Sequence, residues 1–459
     1  MGSLSSSMWI ASQALDADQG ALDATSNNIA NQNTPGYSRE IPVLTEADPT
    51  VEGNVTYGNG VVLQQIQSVR DQVLQLQIAD QNQQQGSAQA QYNALQQVQS
   101  LFSDPTQGIG ADFTAFFNSI SQLSTDPSDM ADRQSVLTAA QNLVGDFHST
   151  EQNLDSIQSG LNQSVGQTVS QINTLTAQIA QLNVQVGQME KLGQDPGTLG
   201  DQETELIQQL SQLTNVNQIQ TENGLTLTTG SGTPLVVAGQ SFALQTTSGA
   251  SGMTDIASQG QDITGSLQGG QLGGTLQIRD TVIPGLLGQL DNLASQFATS
   301  FNAAQASGYD LNGNAGQALF SDTSGAGAAS NLTVALSDPS LIAASSDGTA
   351  GSDGNVSNLL AVQNQALPSG ESPLDTYAGF VSLTGNLTSQ ANAEVTASTS
   401  SLTQLNNQLG SVSGVNLDEE TTNLMNYQRA YEAAARIVTT VDELTQSVLD
   451  MGSGVTAAP

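Results

Sequence analysis

One run of residues limits the architecture more than any other. Leu154, Ile157, Leu161, Val165, Thr168, Ile172, Leu175, Ile179, Leu182, Val186 and Met189 recur at spacings of three and four, with mostly Gln, Ser, Asn and Thr between them. That pattern gives a helix one apolar face and holds it across about five heptads. A helix over 152–192 spans about 60 Å at 1.5 Å per residue, more than the width of a small domain. Gly160, Gly166 and Gly187 interrupt it. Each costs an isolated helix about 1 kcal/mol relative to alanine, so tertiary contacts must hold it. A chain built around such an element is elongated and mainly α.

The two ends carry the same kind of stripe. Leu4, Met8, Ala11, Leu15, Leu22 and Ile29 mark one face at the start, and Trp9, the single tryptophan, borders it as an expected core residue. Leu417, Leu424, Tyr427, Tyr431, Ala434, Val438, Val441 and Val448 mark one face at the finish. Asp418, Glu419 and Glu420 crowd the first turn of this last helix, where they complement its dipole, and Gly452 and Gly454 are expected to end it. Neither stripe has a partner nearby in sequence, so the simplest arrangement pairs the two termini as a coiled coil.

Further helical patterns cover roughly 65–103, 131–147, 201–213, 278–306 and 373–409. Residues 215–275 alternate apolar and polar residues between Gly and Ser breaks, as in Gly224–Gly230 and Pro234–Gly239, and read as short strands. Residues 320–370 are rich in Gly, Ser, Ala and Asp, with a strand-like Leu332–Leu336. The expected organisation has four parts. Residues 1–62 with 410–459 form a terminal coiled-coil domain, and 63–214 with 276–409 form a long-helix domain. A β-rich insertion follows at 215–275, and a Gly/Ser-rich β or loop insertion at 321–370.

Composition removes whole classes of function. The 459 residues include 42 Asp plus Glu, only 7 Lys plus Arg and no Cys, for a formal net charge of −35. So few cations cannot neutralise a track of phosphates, nor hold the chain on an anionic membrane surface, so neither nucleic acid nor a membrane is an expected partner. Without Cys there are no disulfides, thiolate nucleophiles or thiolate metal sites. No apolar run approaches the roughly 18 residues that span a bilayer. No basic residue precedes Arg39 and no dense apolar stretch follows Met1, so a cleaved secretory signal is not expected.

The remaining motifs read better as structure than as chemistry. Gly265–Gly274 has close glycines but no Gly-Lys-Ser/Thr ending, so it is not a phosphate cradle. Asp310, Asn312 and Asn314 have the first spacings of a calcium loop, yet Ala315 and Ser321 stand where Gly and Glu belong. The one histidine, His148, falls in Gly145–Thr150 at an expected break between helices. With one imidazole and no flagged carboxylate pair, the expectation is no enzyme, no metal and no cofactor. Each of Arg39, Arg70, Arg133, Lys191, Arg279, Arg429 and Arg436 is expected to pair with a carboxylate, within or between subunits.

The most informative segment is Ser26-Asn-Asn-Ile-Ala-Asn-Gln-Asn-Thr-Pro-Gly-Tyr-Ser-Arg39. Physically it is a helix end followed by a tight turn. Pro35-Gly36 suits the centre of a type II turn, and the asparagines can cap backbone groups or bond a neighbouring chain. This segment resembles the N-terminal signature of the bacterial flagellar axial proteins, the rod, hook and hook-associated proteins. Its Pro-Gly-Tyr-Ser-Arg ending resembles the branch at the hook–filament junction; Glu40 departs from the more usual Gln. Three further segments resemble the same family in the same order: Gly269–Asp280, Asn302–Phe320 and Ser413–Tyr431. Gln305 stands where the family commonly has His.

The resemblance implies terminal helices that form the inner part of a tubular assembly and order on assembly. It implies a ring of subunits joining hook to filament, needed for filament growth. The implied partners are further copies of the chain, the hook protein, a second hook-associated junction protein, an export chaperone and the flagellar type III export apparatus. The implied location is the extracellular flagellum. The expected assembly residues are Asn27, Asn28, Asn31, Pro35, Gly36, Tyr37, Arg39, Leu417, Leu424, Tyr427, Arg429 and Tyr431. Two alternatives stay open: a hook or rod protein of the same family, and a secreted adhesin or enzyme carried in the β-rich insertion.

Overall fold

A computed structural model describes residues 2–453 except 53–54, 104–105, 223 and 322. Helix α1 (Gly2–Asn31) leads into strands β1 (Glu40–Glu46), β2 (Thr50–Glu52), β3 (Val55–Tyr57) and β4 (Val61–Ser68). Helices α2 (Gln72–Ser100), α3 (Ile109–Leu123), α4 (Met130–Lys191) and α5 (Thr198–Leu213) follow. Next come β5 (Asn217–Thr221), β6 (Gly224–Thr228), β7 (Pro234–Val237) and β8 (Gln240–Ser241), then β9 (Leu244–Ser248), β10 (Thr254–Ser258) and β11 (Gln261–Asp262). Helix α6 (Gly270–Gln277) passes through a π turn into α7 (Ile283–Ala306). Two short helices, α8 (Ala328–Asn331) and α9 (Val356–Ala361), precede the long α10 (Pro373–Ser413) and α11 (Leu417–Ser453). The chain is mainly α, with long helices at both ends and small sheets between.

Helix α4 organises the body. It runs unbroken for 62 residues, about 93 Å at 1.5 Å per residue. Asp129 caps its start, accepting from the Ala131 and Asp132 amides at 2.6 and 3.3 Å. The expected break at Gly145–Thr150 is absent, because Leu143, Val144 and Phe147 are buried in one core and hold that stretch helical. His148 therefore lies mid-helix, and its Nε2 donates to the Leu332 carbonyl at 2.7 Å.

Three cores line up along α4. The first gathers α3, the start of α4, α7 and residues from 319 to 367. It holds seven of the ten phenylalanines, with Phe116 ringed by Phe117, Phe297, Phe301 and Phe320 at centroid distances of 5.0–6.0 Å. The second packs Val165–Ala180 of α4 against α5, α6 and the sheets β5-β6-β7-β8 and β9-β10-β11. The third joins α2, Leu154, the π turn and α10. Close helix crossings explain the glycines: a Cβ on Gly86 would meet the Gln212 carbonyl oxygen at 2.1 Å, and one on Gly274 the Ser87 carbonyl oxygen at 2.3 Å. Gly274 is thus a packing residue.

At the ends, α1 and α11 pair antiparallel, with Asn28 beside Glu420 and Leu4 and Met8 beside Val448 and Thr445. The seam differs from the expected leucine stripe. Ala11, Ala17, Ala21 and Ala24 are buried on α1, whereas Leu4, Leu15, Leu22 and Ile29 are half-buried and Met8 is exposed. Small side chains let the backbones approach, while α1 also packs on β4, where Leu63 lies against Gly20. Trp9 is 59% exposed rather than a core residue. Helix α11 continues through Gly452 to Ser453, and Gly454 lies outside the described residues.

Other expectations also shift. Residues 40–68 hold two antiparallel pairs, β1–β4 and β2–β3, in place of a purely helical end, so the helix expected over 65–103 begins only at Gln72. Leu332–Leu336 forms no strand; Val334 makes a single bridge to Phe320 while Leu332 and Leu336 turn into the first core. Among the described residues, not every one of the seven cations pairs with a carboxylate of its own chain. Arg39, Arg70 and Arg279 do. Buried Arg133 instead donates to the Pro127 and Ile342 carbonyls at 2.6 and 2.7 Å.

Candidate assembly site at the base of the terminal helices

The last turn of α1 and the turn after it build a knot of polar contacts. The Thr34 amide donates to the Asn31 carbonyl at 2.9 Å, and the Tyr37 amide to the Thr34 carbonyl at 3.3 Å. Pro35 and Gly36 are then the central pair of a β-turn, and Gly36 at φ 78° supplies the positive angle that type II requires. This turn reverses the chain so that Tyr37 and Glu40 come back over the helix end.

Asn28 is the centre. It is 1% exposed, and both its amide hydrogens and both its oxygen lone pairs are used. Its Nδ2 donates to the Glu40 carbonyl at 2.8 Å and to Glu420 Oε2 at 3.1 Å. Its Oδ1 accepts from the Tyr37 hydroxyl and the Glu40 amide, each at 2.8 Å. Asn27 donates to Glu40 Oε2 at 3.0 Å, and Asn31 donates back to Asn27 Oδ1 at 2.9 Å. Burial, with Glu40, Asp201 and Glu420 nearby, raises the Tyr37 phenol well above its ordinary value, so it stays a donor.

Two further residues carry the knot outward. Arg39 pairs with Glu419 at 3.0 Å, while its amide donates to the Ser413 carbonyl at 2.9 Å. Ser38 donates from its amide and hydroxyl to Asp201 at 2.9 and 2.7 Å. Asp201 also accepts from Arg70 Nε at 3.0 Å, and Arg70 reaches Asp195 at 3.5 Å and the Gly197 carbonyl. The base of the terminal pair is thereby tied to α5 and to the loop between α4 and α5. Beside this network Glu203 is buried with an unpartnered Oε1, and burial with the nearby Glu190 raises its carboxyl to about 7, against the pull of Arg70.

The structure thus brings together Asn27, Asn28, Asn31, Tyr37 and Arg39, with Pro35 and Gly36 on the exposed turn above them. Leu417 is exposed at the start of α11, and Leu424 and Tyr427 are half-buried. Arg429 and Tyr431 lie exposed further along α11, away from the knot. Ser38, Arg70, Asp201, Glu420 and Asn416 were not expected here. Asn416 caps α11, accepting from the Asp418 amide at 3.0 Å, and Asn before Leu-Asp-Glu-Glu was the readable signal. An open groove of about 420 Å³ runs beside the turn, between Pro35, Tyr37, Leu182 and Leu206.

Among the described residues no group of His, Cys, Asp or Glu is placed to hold a metal ion. In the 310–314 loop Asp310 accepts from the Asn312 and Asn314 amides, both at 2.8 Å, and from Asn314 Nδ2 at 3.2 Å, so its oxygens close a polar turn. Among the described residues no helix is long and apolar enough to cross a membrane.

Three family models match the chain: the helical domain of flagellar hook-associated protein FlgK over 95–320, the flagellar basal body rod FlgEFG protein C-terminal region over 410–451, and the flagella basal body rod protein over 8–37. A flagellar hook-associated protein 1 from Bacillus subtilis is 30% identical, over 97% of this chain and 97% of the relative. The chain belongs to the flagellar hook-associated protein 1 family. The Salmonella typhimurium member is 28% identical over 96% of this chain and 99% of the relative. A solved structure of the flagellar hook junction protein FlgK from Burkholderia pseudomallei shares the fold, with a TM-score of 0.65 at 20% identity over 73% of this chain and 100% of that one. Hook-associated protein 1 is a structural flagellar protein, and the two rod-family matches fall on α1 with its turn and on α11. These are the elements that the Asn28 knot joins.

Proposed function

We propose that this chain is a building block of the hook–filament junction, where a ring of copies joins hook to filament and permits filament growth. The observation that carries the reading is on α11. Met425, Ile437, Leu444, Leu449 and Met451 are each about half exposed or more on a helix that packs chiefly on α1. Burying such side chains against neighbours is worth roughly 1.5–3 kcal/mol each when complete. The expected neighbours are further copies, the hook protein on one side and a second hook-associated junction protein on the other. In this reading the paired ends form the inner part of the ring and residues 215–275 face outward. An export chaperone and the flagellar type III apparatus would carry the chain out of the cell without a cleaved signal, and α1 and α11 would be among the elements that settle during assembly.

Deletion of the gene decides between this and a hook or rod role. The expected strain builds complete hooks, lacks filaments and releases unpolymerised flagellin into the medium. A strain without hooks would favour the hook or rod reading instead. Excising 215–275 while keeping motility and losing a separate activity would support the adhesin or enzyme alternative.

A further inference from the structure

The turn between α4 and α5 presents an apolar tip on a fixed base. Helix α4 ends at Lys191, and Gly193 at φ 71° closes it. The Gly193 amide donates to the Glu190 carbonyl and the Gln194 amide to the Met189 carbonyl, both at 2.9 Å, which satisfies the last carbonyls of the helix. Asp195 then accepts from the Gly197 amide at 2.8 Å and from Ser68 Oγ at 2.9 Å, tying the turn to the end of β4. On this fixed turn Leu192 is 75% exposed, the most exposed large apolar side chain among the described residues. Lys191 beside it is also exposed and has no ion-pair partner among the described residues.

The groove of about 420 Å³ beside the Pro35-Gly36 turn has the complementary character. Pro35, Tyr37, Leu182 and Leu206 give it apolar walls, and Asp201 and Glu205 are the charged residues of its lining. Asp201 is spent on Ser38 and Arg70. Glu205 is not. Its Oε1 accepts from Gln209 at 3.0 Å, while its Oε2, 3.6 Å from the place a Cβ on Gly36 would take, has no partner among the described residues. Leu182 lies ten residues before Leu192 along α4, about 15 Å away on a continuous helix, so a chain cannot seat its own tip in its own groove.

Resting on the ring reading above, we infer that the groove takes the Lys191–Leu192 tip of a neighbouring copy. Leu192 enters between Pro35, Leu182 and Leu206, and the Lys191 ammonium pairs with Glu205. Charge makes a second copy the occupant. Chains of net charge −35 repel, so copies approach favourably where a cation of one meets an acid of the next. Four of the seven cations are committed inside the chain, and Arg429 and Arg436 lie along α11. Lys191 is left as the cation carried at an exposed turn, and the apolar side chain that the groove walls require stands next to it. Tip and groove are different surfaces of one molecule, so each copy gives one and takes one. Such head-to-tail contacts build rings and helical turns. The Pro35-Gly36 turn then has two faces: inward it folds Tyr37 and Glu40 back over α1, and outward it forms one wall of the seat.

Lys191 is the chain's one lysine, so the wild-type protein itself supplies the test. Hook–basal bodies isolated from the deletion strain carrying the wild-type chain are treated with a water-soluble carbodiimide, which joins an amine to a carboxylate in contact with it. Mass spectrometry should find dimers of this chain linked from Lys191 to Glu205, and Glu205→Gln should abolish that link. Lys191 joined to a different protein or to another acid, or monomers only, would overturn the inference. Lys191→Glu and Glu205→Lys should each cut filamented cells roughly tenfold by setting like charges together, and the two in one chain should restore them. A double variant no better than either single one would count against the pairing. Failure of the wild-type chain to restore filaments would sink the ring reading itself, whereas filaments without the Lys191–Glu205 link would sink only this contact.

Discussion

Asn28→Ala removes the centre of the knot and leaves four groups without their partner: the Glu40 amide and carbonyl, the Tyr37 hydroxyl and the Glu420 carboxylate. A neutral hydrogen bond contributes about 1 kcal/mol net and one to an ionised group somewhat more, so the four bonds sum to about 5 kcal/mol. Water recovers part of this, because Tyr37 and Glu40 are half-buried. Glu420 is only 3% exposed, and water reaches it poorly. The expected loss is about 3 kcal/mol, or roughly a hundredfold in the local opening equilibrium.

Hydrogen exchange on the isolated chain reads this directly. Amides in 36–46 and 413–424 should exchange roughly a hundredfold faster in the variant, while those of α3 in the first core stay unchanged. Asn28→Asp keeps the two acceptor bonds but loses both donors and sets a carboxylate against Glu420, so it should cost at least as much near neutral pH. The profile along α1 also divides the family expectation that the ends order on assembly. The base, from about residue 21 to 31, is anchored and should be protected. The tip, where exposed Met8 and Trp9 face Val448 and Leu449, should exchange fast in the wild type. Equal rates in variant and wild type, or no protection over 36–46 in the wild type, would refute the anchoring argument.

Three other perturbations have computable outcomes. Phe116→Ala, at the middle of the ring cluster, should lower stability to urea by about 4 kcal/mol through lost transfer energy and a cavity among its neighbours. Gly160→Ala and Gly166→Ala lie in α4 with no atom within 4 Å of the position a Cβ would take, so each should raise stability by about 0.5–1 kcal/mol; a loss would mean α4 is strained there. Glu203 keeps its proton in the folded chain up to about pH 7, whereas the unfolded chain releases it near the ordinary 4.5. Folding therefore weakens as pH rises between those values, and Glu203→Gln should stabilise by about 2 kcal/mol at pH 8 and hardly at all near pH 4, seen as a shift in urea midpoint.

What the residues disclose beforehand follows from where the information lies. The three-four repeat through 154–189 is local and strong, so α4 and its apolar face were readable. Its continuity through His148 was not, because Phe147 becomes a core residue only when α3 and α7 arrive from elsewhere in the chain. Strands β1–β4 left a weaker trace: Val43, Thr45, Val55, Tyr57, Val61 and Val62 are β-formers, and Gly58-Asn59-Gly60 has turn composition, yet the nearby helical stripes favoured a coiled coil. The Pro35-Gly36 turn was legible because proline and glycine each permit so little else there. Asp201 and Arg70 were not, since the bond from Ser38 to Asp201 spans 163 residues and only the fold closes it.

The placement of charge gives these contacts a common logic. In a chain with 42 acids, most carboxylates can stay solvated, but each committed cation sits where remote segments meet. Arg39 fastens β1 to the start of α11, Arg70 fastens the end of β4 to α5, and Arg133 fastens α4 to the 339–342 loop. Arg279, besides its neighbour Asp280, reaches Asn162 on α4 and the Thr254 carbonyl on β10 at 2.9 and 2.8 Å. Arginine suits this work because its planar fork donates in several fixed directions and stays charged when buried. Desolvating such a group is costly, so it adds more to the uniqueness of the joint than to raw stability.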